Sequence, residues 1–326
     1  MRAIQVTDFG GYDRLQLVEL PIPELELGQV LVKMTAAAIN PLDDVMRRGI
    51  VTMGKKPPII LGNEGAGIVV AGESPIPIGT RVMFKSGYFL PRGGTWQEYV
   101  VTAPRALQPI PDGKSELEAA ALRTGYEAAQ LALTYKGGFQ PGQVVLSPGV
   151  GGSVGNAVIQ LALVQGASRV ITSAGSSEKA KKARELGYED VIDLSQERLR
   201  DGVARLTNNQ GVDLAIDSLG GHILGEVVAS IKVGGIIVLI GDSAGSEARF
   251  NIPRDFLAKE PHIIGHRTVT TPPEIREQAF STIFNFWTEG RVKPLVARTF
   301  PLEQAAEAQR YLMEGRPFGK VLLTFE

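Results

Sequence analysis

A glycine-rich run near the middle of the chain limits the possible folds more than any other feature of the sequence. The run, Ser147–Gly155 (SPGVGGSVG), joins a strand-like segment, Gln143–Ser147, to a helix-like segment, Val154–Gln165. Glycines at such a turn let the backbone approach a phosphate, and the amino terminus of the helix supplies N–H donors for the anion. Val150 stands where the usual fingerprint has its first glycine. We nevertheless expect a dinucleotide-binding turn rather than a plain connection, because of the segments that follow.

Strand-like and helix-like segments alternate after this run. The predicted strands are Arg169–Ser173, Asp190–Asp193, Val212–Asp217, Gly235–Ile240 and His262–His266. The predicted helices are Ser177–Leu186, Gln196–Thr207 and His222–Ile231. Nearly continuous apolar strands separated by helices are typical of a buried parallel sheet. The sequence therefore predicts an α/β fold with a doubly wound parallel sheet of the Rossmann type.

The part of the chain before this sheet has a different character. Glycine and proline separate short strand-like runs, which include Gln29–Met34, Gly67–Ala71, Arg81–Phe84 and Gln97–Thr102. This pattern predicts a β-rich domain. The chain closes with helix-like segments, Pro273–Glu289 and Leu302–Glu314, and one more strand-like segment, Lys320–Phe325. We predict a catalytic domain of residues 1–123 and 267–326, into which a nucleotide-binding domain of residues 124–266 is inserted.

Composition and charge exclude several classes of protein. The chain has 326 residues and a formal net charge of −1, so no basic field attracts nucleic acid or an anionic membrane. It contains no cysteine, which excludes disulfides and thiolate ligands for zinc. No segment approaches the roughly 20 apolar residues of a membrane helix, and the first residues lack the apolar core of a secretory signal. We expect a cytoplasmic protein without a membrane or nucleic-acid partner.

The end of the second predicted strand bears on which nicotinamide cofactor binds. An NAD site usually has a carboxylate about 20 residues after the glycine turn, where it binds the ribose 2′-hydroxyl. Here the strand end offers small and hydroxyl residues and then a lysine, namely Ser173, Gly175, Ser176 and Lys179. Hydroxyls, N–H groups and a cation suit a 2′-phosphate, so we expect NADPH rather than NADH. The alternative is that Lys179 is an ordinary solvated helix residue.

Several motifs resemble those of zinc-free medium-chain dehydrogenases/reductases of the quinone oxidoreductase type, and they occur in the same order. They are Ala38–Asp43 (AINPLD), Leu61–Gly67 (LGNEGAG), Gly93–Val100 (GGTWQEYV), Gly142–Gln160 and Gly319–Leu323 (GKVLL). The resemblance covers nearly the whole chain. It implies a GroES-like fold for the β-rich domain and hydride transfer from NADPH to a quinone or similar conjugated carbonyl. It also implies a homodimer formed through a strand near His262–Arg267.

The same resemblance implies which residues form the site. Asn40 and Thr124 would be the catalytic residues and would lie near the nicotinamide. The pyrophosphate would be held by Gly152, Ser153, Val154 and Gly155, and the 2′-phosphate by Ser176 and Lys179, beside Ser173 and Gly175. The ribose and nicotinamide would be lined by Ser218, Gly241, Asp242 and Ser243, and the site closed by Phe318, Gly319 and Lys320.

The residues themselves leave structural alternatives open. Asn40 precedes Pro41 and could be a turn residue, Asp43 could cap the following helix, Glu64 could anchor a loop, and Lys320 could be a solvated strand residue. We expect a functional role for Asn40 and helix capping for Asp43.

Zinc-dependent relatives place a cysteine in the first of these motifs and a histidine in the second. This chain has Asn40 and Asn63 there, and its only histidines, His222, His262 and His266, lie elsewhere. We therefore expect no zinc. Without a metal to bind an alkoxide, the expected acceptor is one that is already polarised.

The proton donor distinguishes the two enzymatic alternatives. Enoyl-reducing relatives often carry a tyrosine near the helix after the first motif, and the stretch Val45–Val51 has none. Tyr88 and Tyr126 are candidate donors, but packing roles are favoured for both. Since a reduced quinone can take its protons from water, a quinone is the favoured acceptor. An enoyl-thioester or enone reductase is the first alternative, and an NADPH-binding sensor or structural protein with little turnover is the second.

Overall fold

The structure, a computed structural model, describes residues 1–84 and 93–325. Tyr88, one of the candidate proton donors, therefore lies outside the described residues. Contacts between residues divide the chain into two units. Unit 1 comprises residues 1–124 and 294–326, and unit 2 comprises residues 125–293.

The amino-terminal part of unit 1 is mostly β-structure. Its strands are β1 (Arg2–Val6), β2 (Leu15–Glu19), β3 (Val30–Ile39), β4 (Ile59–Ile60), β5 (Gly65–Ala71), β6 (Arg81–Phe84), β7 (Tyr99–Thr102) and β8 (Leu107–Pro109). Its helices are α1 (Pro41–Arg47) and α2 (Glu116–Gln130), of which α2 contains the boundary between the units. The four strand-like runs predicted in this part all form strands, and the β-rich prediction is confirmed.

Unit 2 contains the predicted sheet. Its strands are β9 (Val144–Pro148), β10 (Arg169–Ala174), β11 (Asp190–Asp193), β12 (Val212–Asp217), β13 (Ile231–Leu239) and β14 (His262–Gly265). Its helices are α3 (Ser153–Val164), α4 (Ser177–Glu185), α5 (Leu199–Leu206), α6 (Gly221–Ser230) and α7 (Pro273–Thr288). The strands are parallel and lie in the order β11-β10-β9-β12-β13-β14. This is the order of a dinucleotide-binding doubly wound sheet, so the predicted fold is confirmed.

The core of unit 2 explains why its sequence was so informative. Successive strands each contribute a fully buried residue, as Leu146, Ile171, Ile192, Ala215 and Ile237 do. Side chains from the covering helices complete the same cluster. Because every strand runs in the same direction, their carboxyl ends share one edge of the sheet, which is where such folds bind ligands.

The last part of the chain completes unit 1 with β15 (Val296–Pro301), α8 (Ala305–Gly315) and β16 (Lys320–Thr324). A seven-stranded sheet has the path β15-β16-β3-β5-β6-β8, with β7 also paired to β3, and β2-β1-β4 form a smaller sheet. β16 runs antiparallel to β3, with Val321 opposite Ile39. This register places Lys320, the first residue of β16, next to the end of β3, where Asn40 follows.

The observed division differs from the predicted domain limits at one end. The predicted limit at 266/267 would place α7 with the C-terminal segment, whereas the contacts place residues 267–293 in unit 2. The cause is that α7 packs on the helical turn Leu131–Lys136, and Arg276 Nε lies 2.9 Å from Glu127 Oε1. A helix with one apolar face does not reveal from its sequence which domain covers that face.

Candidate cofactor-binding and catalytic residues

The glycine turn in unit 2 lies between β9 and α3, at the carboxyl end of a central strand. Gly149 adopts a φ of +84°, and the N–H groups of Gly149 and Val150 donate to the backbone oxygen of Ser173 at 3.2 and 2.9 Å. A Cβ atom on Gly155 would lie closer than 3.0 Å to both the oxygen and the carbonyl carbon of Gly149. Glycine at 155 therefore lets α3 begin directly against the turn.

The amino terminus of α3 has no side-chain cap. Gly152 precedes its first residue and makes no side-chain hydrogen bond, and its own N–H donates to Gly149 O at 2.9 Å. The first N–H groups of a helix have no partner within the helix. Those of Ser153, Val154 and Gly155 belong to this first turn. Uncapped N–H groups at a helix amino terminus suit the pyrophosphate of a dinucleotide.

The residues at the end of β10 differ in burial: Ser173 is buried, whereas Gly175, Ser176 and Lys179 are more exposed. Ser173 is fully buried, and its Oγ accepts from Gly149 N–H at 3.3 Å, so this side chain holds the glycine turn. Ser176 caps α4 by accepting from the N–H of Lys179 at 3.3 Å. Gly175 between them is exposed, with no atom within 4 Å of a Cβ placed on it. Gly175, Ser176 and Lys179 thus lie together at the start of α4.

The ends of β12 and β13 meet at Ser218 and Gly241. A Cβ on Gly241 would lie 2.5 Å from Ser218 O, and Ser243 Oγ donates to the same oxygen at 3.4 Å. Asp242 and Ser243 are exposed. The structure therefore brings these four predicted residues together at the carboxyl edge of the parallel sheet.

Asp217, which the sequence analysis did not single out, shapes the loop that carries Ser218. It is fully buried at the end of β12, and its Oδ1 accepts from the N–H groups of Leu219 at 2.7 Å and Gly220 at 3.1 Å. Burial raises the pKa of Asp217, an effect that these two hydrogen bonds partly oppose. A single Asp at the end of an apolar strand gives no signal that separates this role from a surface position.

Unit 1 contains a buried cluster formed by Asn40, Glu64 and Lys320. Lys320 Nζ donates to Asn40 Oδ1 at 2.5 Å and lies 2.5 Å from Glu64 Oε1, while Asn40 Nδ2 donates to Glu64 Oε1 at 3.2 Å. The three residues are 5%, 1% and 4% exposed, respectively. Lys320 is therefore not the solvated strand residue of the alternative interpretation, since its ammonium group is committed to two partners inside unit 1.

Glu64 connects this cluster to Thr124. The second carboxylate oxygen of Glu64 accepts from the backbone N–H of Thr124 at 2.7 Å, and Asn63 Nδ2 donates to Thr124 Oγ1 at 3.2 Å. Both predicted catalytic residues, Asn40 and Thr124, are therefore bonded to one buried carboxylate. From the sequence, a loop-anchoring role was favoured over a catalytic one for Glu64, and its contacts to residues from three separate segments were missed.

Asp43 acts differently from the predicted cap. Asn40 rather than Asp43 precedes the first residue of α1, which begins at Pro41. Asp43 lies in the first turn, where one carboxylate oxygen accepts from Asn40 N–H at 2.7 Å and the other from Gly62 N–H at 3.2 Å. The N–H of Asp43 in turn donates to Asn40 O at 2.9 Å, so reciprocal bonds fix the backbone of Asn40 at the start of the helix.

Phe318 and Gly319 lead into β16. Both are buried, and Gly319 has a φ of +118°, where a Cβ would lie 2.9 Å from Leu295 O. These two residues thus fix the path of the backbone into β16, whose first residue is Lys320. The structure consequently separates the predicted site into two sets: Asn40, Thr124, Phe318, Gly319 and Lys320 in unit 1, and the remaining residues in unit 2.

The residues of unit 1 do not fit a zinc ion. Asn40 and Asn63 offer amides, both hydrogen-bonded within the protein, and the ammonium of Lys320 stands beside Glu64. Zinc in proteins is held by thiolate, imidazole and carboxylate groups. Over residues 1–84 and 93–325, no three such side chains are grouped so that they could hold a metal ion.

Comparison with known proteins identifies the family. Residues 26–112 match the family described as alcohol dehydrogenase GroES-like domain, and residues 153–285 match the one described as zinc-binding dehydrogenase. Quinone oxidoreductase of Rattus norvegicus is 30% identical over 330 residues, covering 99% of this chain and 97% of the rat protein. The chain belongs to the medium-chain dehydrogenase/reductase family.

Solved structures of similar proteins share the entire fold. A protein described as an NAD-dependent alcohol dehydrogenase has a TM-score of 0.87 at 31% identity, with 99% of both chains covered. A mycobacterial protein solved in complex with NADPH has a TM-score of 0.87 at 26% identity, covering 99% of this chain and 100% of its own. This medium-chain reductase is therefore an oxidoreductase with a GroES-like domain and a nicotinamide cofactor.

Proposed function

We propose that this medium-chain reductase transfers hydride from NADPH to a quinone or a similar conjugated carbonyl without a metal ion. The observation that carries this proposal is the chemistry of the buried cluster in unit 1. At the two motif positions where zinc-dependent relatives have metal ligands, this chain has Asn40 and Asn63, and the nearby cation is the ammonium of Lys320. Such a site does not bind a metal ion that could stabilise an alkoxide. The acceptor must therefore accept a hydride without activation by a metal, as the conjugated carbonyl groups of a quinone do.

In this proposal, unit 2 binds the cofactor. NADPH, when bound, supplies the hydride. The uncapped first turn of α3 would hold the pyrophosphate of NADPH. Ser173 would stabilise the glycine turn before this helix, because its Oγ accepts from Gly149 N–H. Ser218, Gly241, Asp242 and Ser243 would line the ribose and nicotinamide. In unit 1, Asn40 and Thr124 would orient the reacting end, because both are fixed by Glu64.

The preference for NADPH rests on this chain's own residues, since its relatives include proteins described with either cofactor. The start of α4 offers Ser176 and Lys179 beside the exposed Gly175, and β10 ends without a carboxylate. A hydroxyl, an ammonium and open backbone suit a 2′-phosphate. Lys179 is the residue on which we base this part of the proposal.

The first alternative acceptor, an enoyl thioester or enone, requires a proton donor for its α-carbon. Of the two candidate tyrosines, Tyr126 is buried within α2, in agreement with the packing role favoured for it. No further observation favours this alternative over a quinone. An NADPH-binding sensor with little turnover is the remaining alternative, and hydride turnover separates it from both enzymes.

Steady-state oxidation of NADPH, followed by absorbance, tests the proposal. We expect turnover with 1,4-benzoquinone and 9,10-phenanthrenequinone, with NADPH preferred to NADH, and slower turnover with crotonyl-CoA. Turnover with crotonyl-CoA alone would assign the enoyl alternative. Binding of NADPH without oxidation in the presence of any of these acceptors would contradict an enzymatic role and support the sensor.

We also propose a homodimer that pairs β14 with its counterpart in a second copy. β14 is the last strand of the parallel sheet, so one of its edges has no strand beside it among the described residues. Ile263 on this strand is 39% exposed, and Val233 on the neighbouring strand β13 and Leu257 before β14 are exposed as well. An apolar edge strand is a natural pairing surface. Within the described ranges no helix is long and apolar enough to cross a membrane, and the cytoplasmic location stays a prediction.

A further inference from the structure

The orientation of the Asn40 side chain follows from the chemistry of its two neighbours. An amide side chain has an oxygen that accepts and a nitrogen that carries two N–H donors. The ammonium of Lys320 can only donate, and a carboxylate such as Glu64 can only accept. The amide oxygen must therefore face Lys320 and the amide nitrogen must face Glu64, as the distances of 2.5 and 3.2 Å indicate.

This arrangement leaves Asn40 with one kind of group to offer a ligand. Its oxygen lies against Lys320, and one of its two N–H groups donates to Glu64. The second N–H has no partner among the hydrogen bonds that the structure describes for this side chain. The backbone of Asn40 is also fixed, because its N–H donates to Asp43. The side-chain amide of Asn40 therefore cannot rotate by 180°, which would exchange its oxygen and nitrogen, without breaking these hydrogen bonds.

We propose that Lys320 and Glu64 are positioning residues that hold Asn40 as an N–H donor, and that the ligand atom which Asn40 meets is a hydrogen-bond acceptor. This inference rests on the proposed function, in which Asn40 contacts the reacting groups. This hydrogen-bond acceptor is a neutral oxygen, which is either a carbonyl oxygen of the substrate or an amide or hydroxyl oxygen of the cofactor. A hydroxyl or amine that must donate to Asn40 would not be recognised.

Lys320 holds the amide oxygen of Asn40 directly, and Glu64 holds the amide nitrogen. If Lys320 were replaced by an apolar residue, Glu64 alone would hold the orientation of the amide. Glu64 would still accept from the amide, but it would be a buried carboxylate without its cation. Because such a single variant can fail to fold, the paired change Lys320→Met with Glu64→Gln is the better test, since it removes both charges together.

Substitutions of Asn40 test which kind of group the ligand meets. Asn40→Asp keeps the shape and an oxygen for Lys320 but replaces the N–H donors with a second acceptor, whereas Asn40→Ala removes both. We expect Asn40→Asp to lose at least as much function as Asn40→Ala, about tenfold or more in the affected constant. Asn285→Asp, an exposed change on α7, serves as the control and should leave every constant unchanged. An Asn40→Asp enzyme that matches the wild type, or exceeds Asn40→Ala tenfold, would overturn the proposal.

Two readouts identify the source of the acceptor oxygen. The dissociation constant of NADPH, measured by protein fluorescence, should rise in both Asn40 variants if the oxygen belongs to the cofactor. If it belongs to the substrate, that constant should stay fixed while kcat/KM for 9,10-phenanthrenequinone falls. A wild-type protein that binds NADPH but does not reduce quinone would refute the proposed function, and the dissociation constants of NADPH would then be the test of the inference about Asn40. If neither the dissociation constant nor kcat/KM changed in the Asn40 variants, the inference would be overturned.

A thermodynamic cycle tests whether Lys320 and Glu64 act through Asn40. Asn40→Ala is compared in the wild type and in the Lys320→Met, Glu64→Gln background, with circular dichroism to verify folding. We expect the double variant to affect the same constant as Asn40→Ala, and Asn40→Ala to cost little further in that background. A purely structural role would instead give additive losses, which would contradict the assignment. Partial recovery by Lys320→Arg, which restores a buried donor-only cation, would further support it.

Discussion

Replacing Gly155 with alanine should weaken NADPH binding and lower the stability of the fold, while the protein still folds. A Cβ at 155 would lie 2.9 Å from the carbonyl carbon of Gly149 and 3.0 Å from Pro148 O, and closer still to Gly149 O. All three are backbone atoms, which cannot rotate away as a side chain can. Ordinary contact begins at 3.4 Å, so the turn and the first residues of α3 must separate by at least 3.4 − 2.9 = 0.5 Å.

That displacement moves the N–H groups proposed to bind the pyrophosphate. A hydrogen bond to a charged group contributes about 1.5–3 kcal/mol, so loss of one such bond would raise the dissociation constant of NADPH about 10- to 150-fold. Overpacking costs about 1–3 kcal/mol of folding free energy, and the better helix propensity of alanine returns up to about 1 kcal/mol. The net loss of stability should therefore be about 3 kcal/mol or less.

Fluorescence titration with NADPH and thermal unfolding measure the two effects in the same protein. Gly265→Ala is the matched control, because a Cβ there has no atom within 4 Å and the residue does not have the positive φ that favours glycine. The control should bind NADPH as the wild type does. A Gly155→Ala protein that is folded and binds NADPH with unchanged affinity would refute the assignment of this turn to the pyrophosphate.

Three further predictions concern other parts of the molecule. Lys179→Glu should reduce the preference for NADPH over NADH by about tenfold or more, as the ratio of the two kcat/KM values, because it reverses the charge proposed to meet the 2′-phosphate. Burial raises the pKa of Asp217, so its contribution to stability is present below the unfolded value of 3.8 and is lost as pH rises through the folded value. Asp217→Asn should therefore raise Tm at pH 7 and have little effect near pH 3, and a lower Tm at pH 7 would contradict this. Ile263→Lys should shift the protein from dimer to monomer in light scattering, whereas an unchanged mass would argue against pairing through β14.

The sequence predicted the parallel sheet well because its strands are buried on both faces. An apolar run such as Val212–Asp217 is unambiguous, and its predicted bounds match β12. Strands that lie at an edge or are largely exposed were missed, as β2 and β15 illustrate. In β2 a single residue of five is buried, and in β15 a single residue of six. Such strands are held by backbone pairing with neighbours far along the chain, which leaves little periodicity to detect.

The contacts within the candidate site could be predicted only where local sequence determines local geometry. The glycine turn and the cap formed by Ser176 are of this kind, since turn and cap residues act within a few positions. The cluster of Asn40, Glu64 and Lys320 is different, because 280 residues separate Asn40 from Lys320. Their contact depends on the register of β16 against β3, which no short motif specifies. The same limit applies to α7, whose partner helix is remote in sequence.

Metal independence is the central claim, and single-turnover reduction of a quinone tests it most directly. The protein would be treated with a chelator, its metal content measured, and the oxidation of bound NADPH by 9,10-phenanthrenequinone followed in a stopped-flow instrument. We expect the same rate constant before chelation, after chelation and after the addition of zinc, because hydride transfer relies on the bound cofactor and on Asn40 held by Lys320 and Glu64. A rate that falls with the loss of metal and recovers when zinc returns would contradict the account.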